Sequence, residues 1–341
     1  MRLIALLTAV FLVAACDPEM PRTASTTPQL DAAMLDEEGA QLAARATAGS
    51  DNARFGAALI NLESGELWAL NGSERFPMMS VFKAPLGAAV LAEVDAGRLD
   101  LGETITLTDE DLSPPYSPVA DAYPGRRAYT VEQFLELAVG QSDNTAADVL
   151  MRRIGGPGVV TAWLRSHKIE DMRVDRYERQ MQPELAGLDS FRPEWKGESA
   201  YGSVHRGVPD DRRFAATLAY MRDPRDTSTP RAALLFLSKL SAGELLSETS
   251  TERLLRIMTE TPSGADRLKA GLPAGAKLAH KTGTARTDFG MNPAANDIGV
   301  VTLPDGRRYA VAVFISGSSL APEARADVFA DFARLAVRAA G

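Results

Sequence analysis

The chain has 341 residues, of which 45% are hydrophobic and 24% are charged, and its formal net charge is −8. This balance predicts a soluble globular protein with one large or two moderate cores. An acidic chain with no long basic run lacks the charge pattern of a nucleic-acid-binding protein. The histidines, His167, His205 and His280, are far apart with no Cys or paired carboxylates beside them. We therefore expect no metal site and no cofactor.

The N-terminus has the pattern of an export signal. Arg2 precedes an apolar run from Leu3 to Ala15 that is too short to cross a bilayer as a helix. The run ends in Val13-Ala14-Ala15-Cys16, and Cys16 is the only cysteine in the chain. This ending resembles a bacterial lipobox, so we expect a lipoprotein signal peptide at residues 1–15, lipid on Cys16, and a membrane-anchored periplasmic protein. Simple cleavage after Ala15 is the alternative.

A flexible tether is predicted after the signal, over residues 16–31, because the segment is rich in Pro, Thr and Ser and has little to bury. A polar helix is expected around Asp31–Ala48. Two β-like runs follow, Arg54–Glu63 and Glu66–Asn71, joined at Ser64-Gly65 as in a hairpin.

The C-terminal end mirrors this arrangement. Two β-like runs, Asp297–Leu303 and Arg308–Ser316, flank Pro304-Asp305-Gly306, and a helical pattern extends from about Pro322 to Ala340. Strands at both ends with helices between them predict an α/β fold whose sheet is built from both chain ends, with a helical insertion forming a second lobe. A site between two lobes is a usual place for a pocket.

The middle of the chain is predicted to be helical. Thr130 and Gln133 form a capping box ahead of an apolar helix that leads to Ser142. Further helices are expected over Asn144–Ile154, Arg231–Ser241 and Glu248–Thr259. The segment Pro183–Asp211 is rich in Gly, Pro and polar residues and is predicted to be a long loop, functional or mobile.

One stretch carries the first chemical signal. Phe76–Gly97 predicts a buried helix with Ser80 and Lys83 three residues apart near its start, so that hydroxyl and amine lie on one face. A partly desolvated lysine can help to remove the serine proton, and a helix start offers free N–H groups to an oxyanion. Such a pair is common by chance, and a capping serine beside a solvated lysine is the simpler interpretation.

Two further motifs favour the catalytic interpretation of Ser80 and Lys83. They are Ser142-Asp143-Asn144 and Lys281-Thr282-Gly283-Thr284, in that chain order. The three motifs together are the set known from class A β-lactamases and penicillin-binding proteins. From about residue 32 to its end, the chain resembles the class A serine β-lactamases. Other matching segments are Tyr116–Val119 (YSPV), Asp175–Glu178 (DRYE) and Pro224–Pro230 (PRDTSTP). Some extended-spectrum cephalosporinases of the family carry runs similar to Glu178–Met181 and His280–Thr284.

The resemblance implies a β-lactamase/transpeptidase-like fold: an antiparallel sheet from both chain ends flanked by helices, plus an all-α lobe. It implies a catalytic domain over residues 32–341, with an α/β lobe at about 32–78 and 272–341 and an α lobe at about 79–271. The implied activity is hydrolysis of penicillins and cephalosporins, which confers antibiotic resistance. We expect a monomer whose partners are small β-lactam molecules and the membrane, with no nucleic acid.

The resemblance also assigns the catalytic roles. Ser80 attacks the lactam carbonyl, and the N–H groups of Ser80 and Thr284 hold the oxyanion. Lys83 takes the serine proton, directly or with Glu178 acting through a water. Ser142 passes a proton to the ring nitrogen.

The remaining implied roles concern binding and the loop that carries Glu178. Substrate-binding residues are Asn144, Lys281, Thr282, Thr284 and Tyr116, of which Lys281 and the threonines hold the substrate carboxylate. Gln182 stands where the family has an asparagine that positions water. Arg176 and Asp226 match the ion pair that closes the loop, but about 35 more residues separate them than in the family pattern. This insertion is expected to widen the pocket mouth, cap it, or pack outside it.

Glu178 distinguishes the enzymatic alternatives. A penicillin-binding D,D-peptidase lacks a base that activates water, so β-lactams acylate and inhibit it. A membrane-tethered β-lactam sensor is likewise acylated without turnover. The presence of Glu178 with Gln182 favours the hydrolase over both.

Overall fold

The structure is a computed structural model that describes residues 29–341. The expected signal peptide, Cys16 and most of the expected tether lie outside the described residues. The helices are α1 (Ala32–Thr47), α2 (Lys83–Asp95), α3 (Pro118–Ala122), α4 (Val131–Leu135), α5 (Asn144–Arg153), α6 (Pro157–Ser166), α7 (Glu178–Leu185), α8 (Glu198–Arg206), α9 (Asp210–Arg222), α10 (Pro230–Ser241), α11 (Glu248–Thr259) and α12 (Pro322–Ala339). The strands are β1 (Arg54–Asn61), β2 (Leu67–Leu70), β3 (Phe76–Pro77), β4 (Thr104–Thr106), β5 (Ala128–Thr130), β6 (Thr227–Ser228), β7 (Lys277–Thr284), β8 (Ala295–Thr302) and β9 (Arg308–Ser316).

The main sheet joins the two ends of the chain. Within residues 29–341 it has five antiparallel strands in the order β2-β1-β9-β8-β7. Strands β1 and β2 come from the N-terminal part and the other three from the C-terminal part. This topology confirms the predicted α/β fold with an antiparallel sheet from both ends. No helix described between residues 29 and 341 is long and apolar enough to cross a membrane.

Each face of the sheet has its own apolar core. On one face α1 and α12 pack across the strands, and the rings of Trp68 and Phe332 stack 5.9 Å apart. On the other face the sheet meets the helical part of the chain, in a core that includes Phe76, Phe314 and residues of α2 and α10. The helical part therefore packs against the face of the sheet opposite to α1 and α12.

Helix α2 runs through the middle of the helical part. Every residue from Lys83 to Leu91 is buried, as expected for a helix surrounded by apolar neighbours on all sides. A 3₁₀ turn, Met79–Phe82, precedes it and carries Ser80. The predicted helix is therefore present, but the serine stands on its tighter first turn.

The predicted capping box is also present. Gln133 donates its backbone N–H to Thr130 Oγ1 (3.2 Å), and its side-chain oxygen accepts the Thr130 N–H (3.1 Å). Helix α4 then widens into a π-helical turn, Glu136–Gly140, directly before Ser142. Such wide turns are frequent at functional sites, and this one redirects the chain toward the pocket.

The prediction of a long loop at Pro183–Asp211 is wrong. The inserted segment, residues 183–222, holds the end of α7 and all of α8 and α9. The Gly and Pro residues that indicated a loop mark helix ends instead: Gly197 and Pro209 directly precede α8 and α9, and Gly207 ends α8. Gly197 has φ +82°, a conformation that glycine adopts without strain. Short helices with breaker residues at their ends thus produce a loop-like composition.

Candidate active site

Ser80 is held against the edge of the main sheet. The Asn296 side chain of β8 donates hydrogen bonds to the carbonyls of Pro77 and Met78, both at 2.9 Å. Strand β7 passes so close that a Cβ at Gly283 would lie 2.3 Å from the Met78 carbonyl oxygen. Only glycine allows this approach, which brings the end of β7 beside the serine.

Lys83 is buried and uses all of its donors. Its Nζ donates to Ser80 Oγ at 3.0 Å, to the Ser142 carbonyl at 2.7 Å and to Asn144 Oδ1. Its side chain is 0% exposed. A lysine held in this way has one fixed position and reaches the serine oxygen directly, as the spacing of Ser80 and Lys83 predicts.

Glu178 lies on the other side of Lys83. Its Oε1 is 3.1 Å from Lys83 Nζ, and its side chain is also 0% exposed. Its Oε2 accepts a hydrogen bond from Gln182 Nε2 at 2.9 Å. Among residues 29–341 no donor forms a hydrogen bond of good geometry with Oε1. This buried oxygen has capacity for a further donor, such as a water near Ser80.

Asp148 fixes the start of α7 and was not identified from the sequence. Its carboxylate accepts the backbone N–H groups of Glu178 (2.7 Å) and Arg179 (2.9 Å) and the Ser113 hydroxyl (2.6 Å). It thus caps from α5 a helix whose first N–H groups lack intrahelical partners. Burial raises the pKa of Asp148 to about 6. Its position four residues after Asn144, on the same face of α5, was an available signal.

Ser142 lies in a strained turn between two lysines. Its φ is +63°, a conformation that residues other than glycine rarely adopt. Its carbonyl accepts from Lys83, while its hydroxyl accepts from Lys281 Nζ at 3.0 Å. Asp143 holds the turn by accepting the N–H groups of Val119 and Ala146 and the Ser117 hydroxyl, all at 2.8 Å.

Lys281 and its neighbours provide positive charge at the end of β7. Burial, followed by the nearby charge of Lys83, lowers the pKa of Lys281 to about 7. Arg267 donates to Thr284 Oγ1 (2.6 Å) and to the Asn296 carbonyl (2.9 Å). No sequence motif identified Arg267, which stands in a turn-rich segment.

His280 does not reach the reacting groups. Its Nδ1 lies 2.9 Å from Asp297 Oδ1, and both side chains are buried between β7 and β8. His280 is therefore a strand residue beside the site rather than a member of it.

The pocket above Ser80 has a volume of ≈ 410 Å³. It is lined by Ser80, Ser142, Asn144, Gln182, Thr282 and Thr284, together with Tyr116 at the rim. The Tyr116 side chain is 43% exposed. The size and the mixed lining suit a drug-sized polar molecule.

Arg176 and Asp226 form an ion pair across the inserted segment. Arg176 Nε is 2.6 Å from Asp226 Oδ2, with side chains 5% and 2% exposed. Arg176 also pairs with Glu184 (2.5 Å) and Asp223 (3.2 Å). The Arg176–Asp226 pair therefore joins the chain on the two sides of the extra residues. Gln182 lies beside Glu178 despite the insertion.

The inserted segment borders the pocket. Leu185, Ala186, Glu198, Tyr201, His205 and Thr217 are among the lining residues. From α9, Tyr220 places its hydroxyl 2.8 Å from the sulfur of Met79, the residue before Ser80. Of the three arrangements expected for the insertion, packing outside the pocket is therefore wrong.

A metal ion has no evident place here. No group of three or more His, Cys, Asp or Glu side chains within the described part of the chain is arranged to hold one. The chemistry available at the pocket is a serine hydroxyl, a buried lysine–carboxylate pair and a cationic strand end. Together these groups suit nucleophilic attack on a carbonyl compound that carries an anion.

Comparisons with known proteins agree with this chemistry. Residues 39–340 match the family described as the β-lactamase enzyme family. The chain is 31% identical to β-lactamase VEB-1 from Pseudomonas aeruginosa over 83% of its length and 84% of that protein. It is 33% identical to extended-spectrum β-lactamase PER-1 from the same organism, over 83% of this chain and 82% of that one.

Solved structures are similar as well. A β-lactamase from Chitinophaga pinensis superimposes with a TM-score of 0.73 at 34% identity, covering 90% of this chain and 99% of that one. An ancestral class A β-lactamase superimposes with a TM-score of 0.71 at 36% identity, covering 89% and 99%.

Proposed function

The chain belongs to the class A β-lactamases of the β-lactamase enzyme family, and from this premise we propose that it opens the ring of penicillins and cephalosporins through a Ser80 ester that Glu178 helps to hydrolyse. The observation that carries the proposal is the buried contact of Ser80, Lys83 and Glu178, at 3.0 and 3.1 Å. The nucleophile thereby contacts its proton acceptor, which in turn contacts the carboxylate of Glu178. The alternative of a D,D-peptidase or a non-hydrolysing sensor leaves this carboxylate without a task.

Before acylation, Lys83 gives one proton to Glu178 Oε1, 3.1 Å away, and so becomes a neutral acceptor. Ser80 Oγ then attacks the lactam carbonyl as its proton passes to Lys83 or, with Lys83 still charged, through a water to Glu178. The oxyanion is received by the N–H groups of Ser80 and Thr284. The carbon–nitrogen bond then breaks, and Ser142 gives its proton to the ring nitrogen. Because Lys281 donates to Ser142 Oγ, it can supply the replacement proton.

In the deacylation step, water attacks the Ser80 ester. Glu178 Oε1, buried and without a well-aligned donor in the described residues, accepts a proton from that water. Gln182 holds the other carboxylate oxygen at 2.9 Å and so fixes its orientation. Asp148 positions Glu178 through the backbone. The bond between Ser80 Oγ and the acyl carbon then breaks, and Ser80 takes the proton held by Glu178, which releases the ring-opened acid and restores the free enzyme.

Recognition of the substrate has two poles. Lys281, Thr282 and Thr284 bind the carboxylate that penicillins and cephalosporins carry, and Arg267 adds charge behind Thr284. Asn144 donates its second amide hydrogen to the acylamino carbonyl, since Lys83 and the Pro114 carbonyl occupy its other bonds. Tyr116 packs on the substrate from the rim.

Intact-protein mass spectrometry with benzylpenicillin and a cephalosporin tests the proposal. We expect the unmodified protein to consume substrate and show no lasting adduct. Glu178→Gln should keep a covalent adduct on Ser80 and lose turnover by roughly a thousandfold, the scale of a general base. Glu170→Gln, at an exposed position outside the site, is the matched control and should behave as the unmodified protein.

Other outcomes have distinct meanings. A lasting adduct on the unmodified protein would support the sensor or the D,D-peptidase. Neither adduct nor turnover in any variant would overturn the proposal. Expression in a susceptible bacterial host should raise the inhibitory concentration of the same drugs, and should not do so for Ser80→Ala.

Extended-spectrum activity is the finer part of the proposal. PER-1 is named an extended-spectrum enzyme, and its relationship to this chain supports activity on bulky cephalosporins as well as on penicillins. The experiment compares kcat/KM for an oxyimino cephalosporin and a simple one. A ratio below about one in a thousand would contradict this part alone.

The location is proposed from the sequence. The apolar run Leu3–Ala15 before Cys16 supports export, lipidation and membrane anchoring in the periplasm. Cys16→Ser should move the protein from the membrane to the soluble fraction of lysed cells. If the unmodified protein and the variant were both found in the soluble fraction, simple cleavage after Ala15 without lipidation would replace this part of the proposal.

A monomer is proposed as well, because one chain supplies all of the catalytic and carboxylate-binding residues named above. Light scattering after gel filtration should give one chain mass for the lipid-free protein. A dimer mass would contradict this point without affecting the mechanism.

A further inference from the structure

Asn296 on β8 is a buried side chain for which the proposed mechanism has no task. It is 0% exposed, and its Nδ2 donates to the carbonyls of Pro77 and Met78, both at 2.9 Å. Because both partners are acceptors, the amide has one favourable orientation, with its NH₂ group toward them. Its Oδ1 has no hydrogen-bond partner among residues 29–341. The two donated bonds are therefore what the amide provides at this position.

Asn296 reaches these carbonyls across β7. The register of the sheet places Asn296 directly opposite Gly283, and directly opposed residues share one face of a sheet. A Cβ at Gly283 would lie 2.3 Å from the Met78 carbonyl oxygen, which is one of the two acceptors. The missing side chain at Gly283 thus leaves the face of β7 open between the amide and the carbonyls.

The chain held in this way has a strained backbone. Met79 directly follows the two acceptor carbonyls, and its φ is +47°, which is rare for a residue with a side chain. Such a conformation persists only where the surrounding contacts enforce it. Here they are the two bonds from Asn296 and the bond from the Met78 N–H to the Asp226 carbonyl, at 3.0 Å. The direction of the Ser80 N–H depends on this backbone, because Ser80 is the next residue.

The same asparagine is tied to the second oxyanion donor. Its neighbour Ala295 lies opposite Thr284 in the register of β7 and β8. Its own carbonyl accepts from Arg267 Nη1 at 2.9 Å, and Arg267 also binds the Thr284 hydroxyl. Ser80 and Thr284 are distant in the chain, so their N–H groups can meet one oxyanion only if their segments are held at a fixed separation. Asn296 is bonded to both segments.

We propose that Asn296 is a positioning residue, which fixes the separation of the Ser80 and Thr284 N–H groups and so sets how strongly they bind the oxyanion. This inference rests on the proposed function. Within residues 29–341 Asn296 is not one of those that line the pocket, so it acts through the chain before Ser80. Negative charge on the carbonyl oxygen develops only in the transition state. Asn296 therefore lowers the barrier without strengthening the binding of the intact lactam.

Rapid kinetics of Asn296→Ala test this division between binding and reaction. The acylation rate at saturating benzylpenicillin should fall roughly 10- to 100-fold, somewhat less than when an oxyanion donor is removed outright. The dissociation constant of the non-covalent complex should stay within about twofold of its original value. A boronic acid that forms a tetrahedral adduct on Ser80 should lose affinity by about the same factor as the acylation rate.

The infrared spectrum of the ester gives a direct view of the donors. Glu178→Gln should accumulate the ester, and ¹³C in the lactam carbonyl identifies its stretching band. Hydrogen bonds to a carbonyl oxygen weaken the C=O bond and lower the wavenumber of this band. Adding Asn296→Ala to Glu178→Gln should therefore move the band to higher wavenumber. A role in folding stability alone would not move it.

Asn61→Ala is the matched control. Asn61 is also a buried asparagine, and its Oδ1 accepts the N–H groups of Glu63 (2.9 Å) and Ser64 (3.1 Å) in the turn between β1 and β2. Its removal should lower the melting temperature but leave the acylation rate and the ester band unchanged. If Asn296→Ala does not fold, Asn296→Ser replaces it, since one hydroxyl hydrogen can serve only one of the two carbonyls.

The possible results separate the two proposals. An unchanged band and acylation rate in the Asn296 variant, with a lower melting temperature, would overturn the positioning role while hydrolysis by the unmodified protein continued. The same shift of the band in Asn61→Ala would overturn it as well. Absence of both ester and hydrolysis in the unmodified protein would instead overturn the proposed function.

Discussion

The residues around Ser80 and the inserted segment border one pocket and are built in different ways. Around Lys83 each polar contact is direct, buried and made to residues of the central helices. The inserted segment is joined to the rest of the molecule through a few long side chains, Lys196, Arg213 and Tyr220. The centre is surrounded by buried polar contacts, while the segment is held by these few polar contacts and by a small apolar cluster of Ala186, Phe191 and Tyr201 on Leu112 and Ala120.

This difference indicates a division of labour. A buried lysine–carboxylate pair has one favourable geometry, so changes there affect the reaction itself. Helices attached at a few points can change their pocket-facing residues without disturbing that pair. We therefore expect variants of the two regions to differ both in size of effect and in the quantity that they alter.

The largest effect should come from breaking the pair at the centre. Lys83→Met keeps the length of the side chain but leaves Glu178 buried without its cation. Removing one partner of a buried pair costs about 3–5 kcal/mol. Thermal unfolding should show this loss, and acylation measured by rapid quench should fall at least a thousandfold.

The double variant Lys83→Met with Glu178→Gln sharpens the test. Because it leaves no unpaired charge, it should recover most of the lost stability while remaining inactive. Equal stability losses in the single and double variants would contradict the pair as the cause.

The next effect concerns the base of the inserted segment. Asp226→Asn keeps the side-chain shape at a residue with φ +52°, which asparagine tolerates, but removes the charge that faces Arg176. Since Glu184 and Asp223 still pair with Arg176, we expect a loss of about 2 kcal/mol, less than for an isolated buried pair. Denaturant titration measures it, and deacylation should slow more than acylation. Asp171→Asn, at an exposed partner of Arg75, is the control.

A smaller effect should appear in the pH profile. With a pKa of about 7, Lys281 loses its charge as pH rises, so kcat/KM for benzylpenicillin should fall about tenfold between pH 7 and 8.5. The folded pKa lies below the unfolded value of 10.5, so the unfolded chain binds more protons between pH 7 and 10.5. The contribution of Lys281 to stability therefore rises with pH across that window.

Lys281→Arg provides the comparison, because arginine stays charged throughout. Its kcat/KM should be lower at pH 7 but nearly constant to pH 8.5. If kcat/KM fell equally in both proteins between pH 7 and 8.5, the decline would belong to a group other than Lys281.

The smallest effect is expected at the edge of the inserted segment. Lys196→Met removes the donor to Ala120 and Tyr123 and should change the free energy of unfolding by less than about 1 kcal/mol. Hydrogen exchange of α8 should nevertheless accelerate. Lys239→Met, which breaks an exposed pair with Glu244, should leave α8 unaffected. Slow exchange of α8 in both variants would show that its apolar contacts alone hold it.

Much of the fold could be predicted because its signals are local. The hairpin turn between β1 and β2, the capping box at Thr130 and the amphipathic C-terminal helix each lie within a few residues. The motifs around Ser80, Ser142 and Lys281 predicted which segments meet, because three such motifs in this chain order rarely occur together by chance.

The remainder depends on contacts that no local pattern encodes. Asp148 caps α7 from thirty residues away, so its role exists only once α5 and α7 are adjacent. Arg267 reaches Thr284 from a turn with no motif of its own. In the inserted segment, the same Gly and Pro residues are compatible with a loop or with helix ends, and packing on Leu112 and Ala120, with the Arg213–Asp288 ion pair, selects the second.

The backbone of Ser142 has one further consequence. Its left-handed turn directs the carbonyl to Lys83 and the hydroxyl to Lys281, so one residue touches the machinery of attack and the anchor of the substrate carboxylate. In the proposed mechanism the proton for the departing nitrogen therefore comes from a group that senses the bound carboxylate through Lys281. A lactam without that anion should bind more weakly, and its carbon–nitrogen bond should also break more slowly. The proposed mechanism thereby selects for the substrate carboxylate in the bond-breaking step as well as in binding.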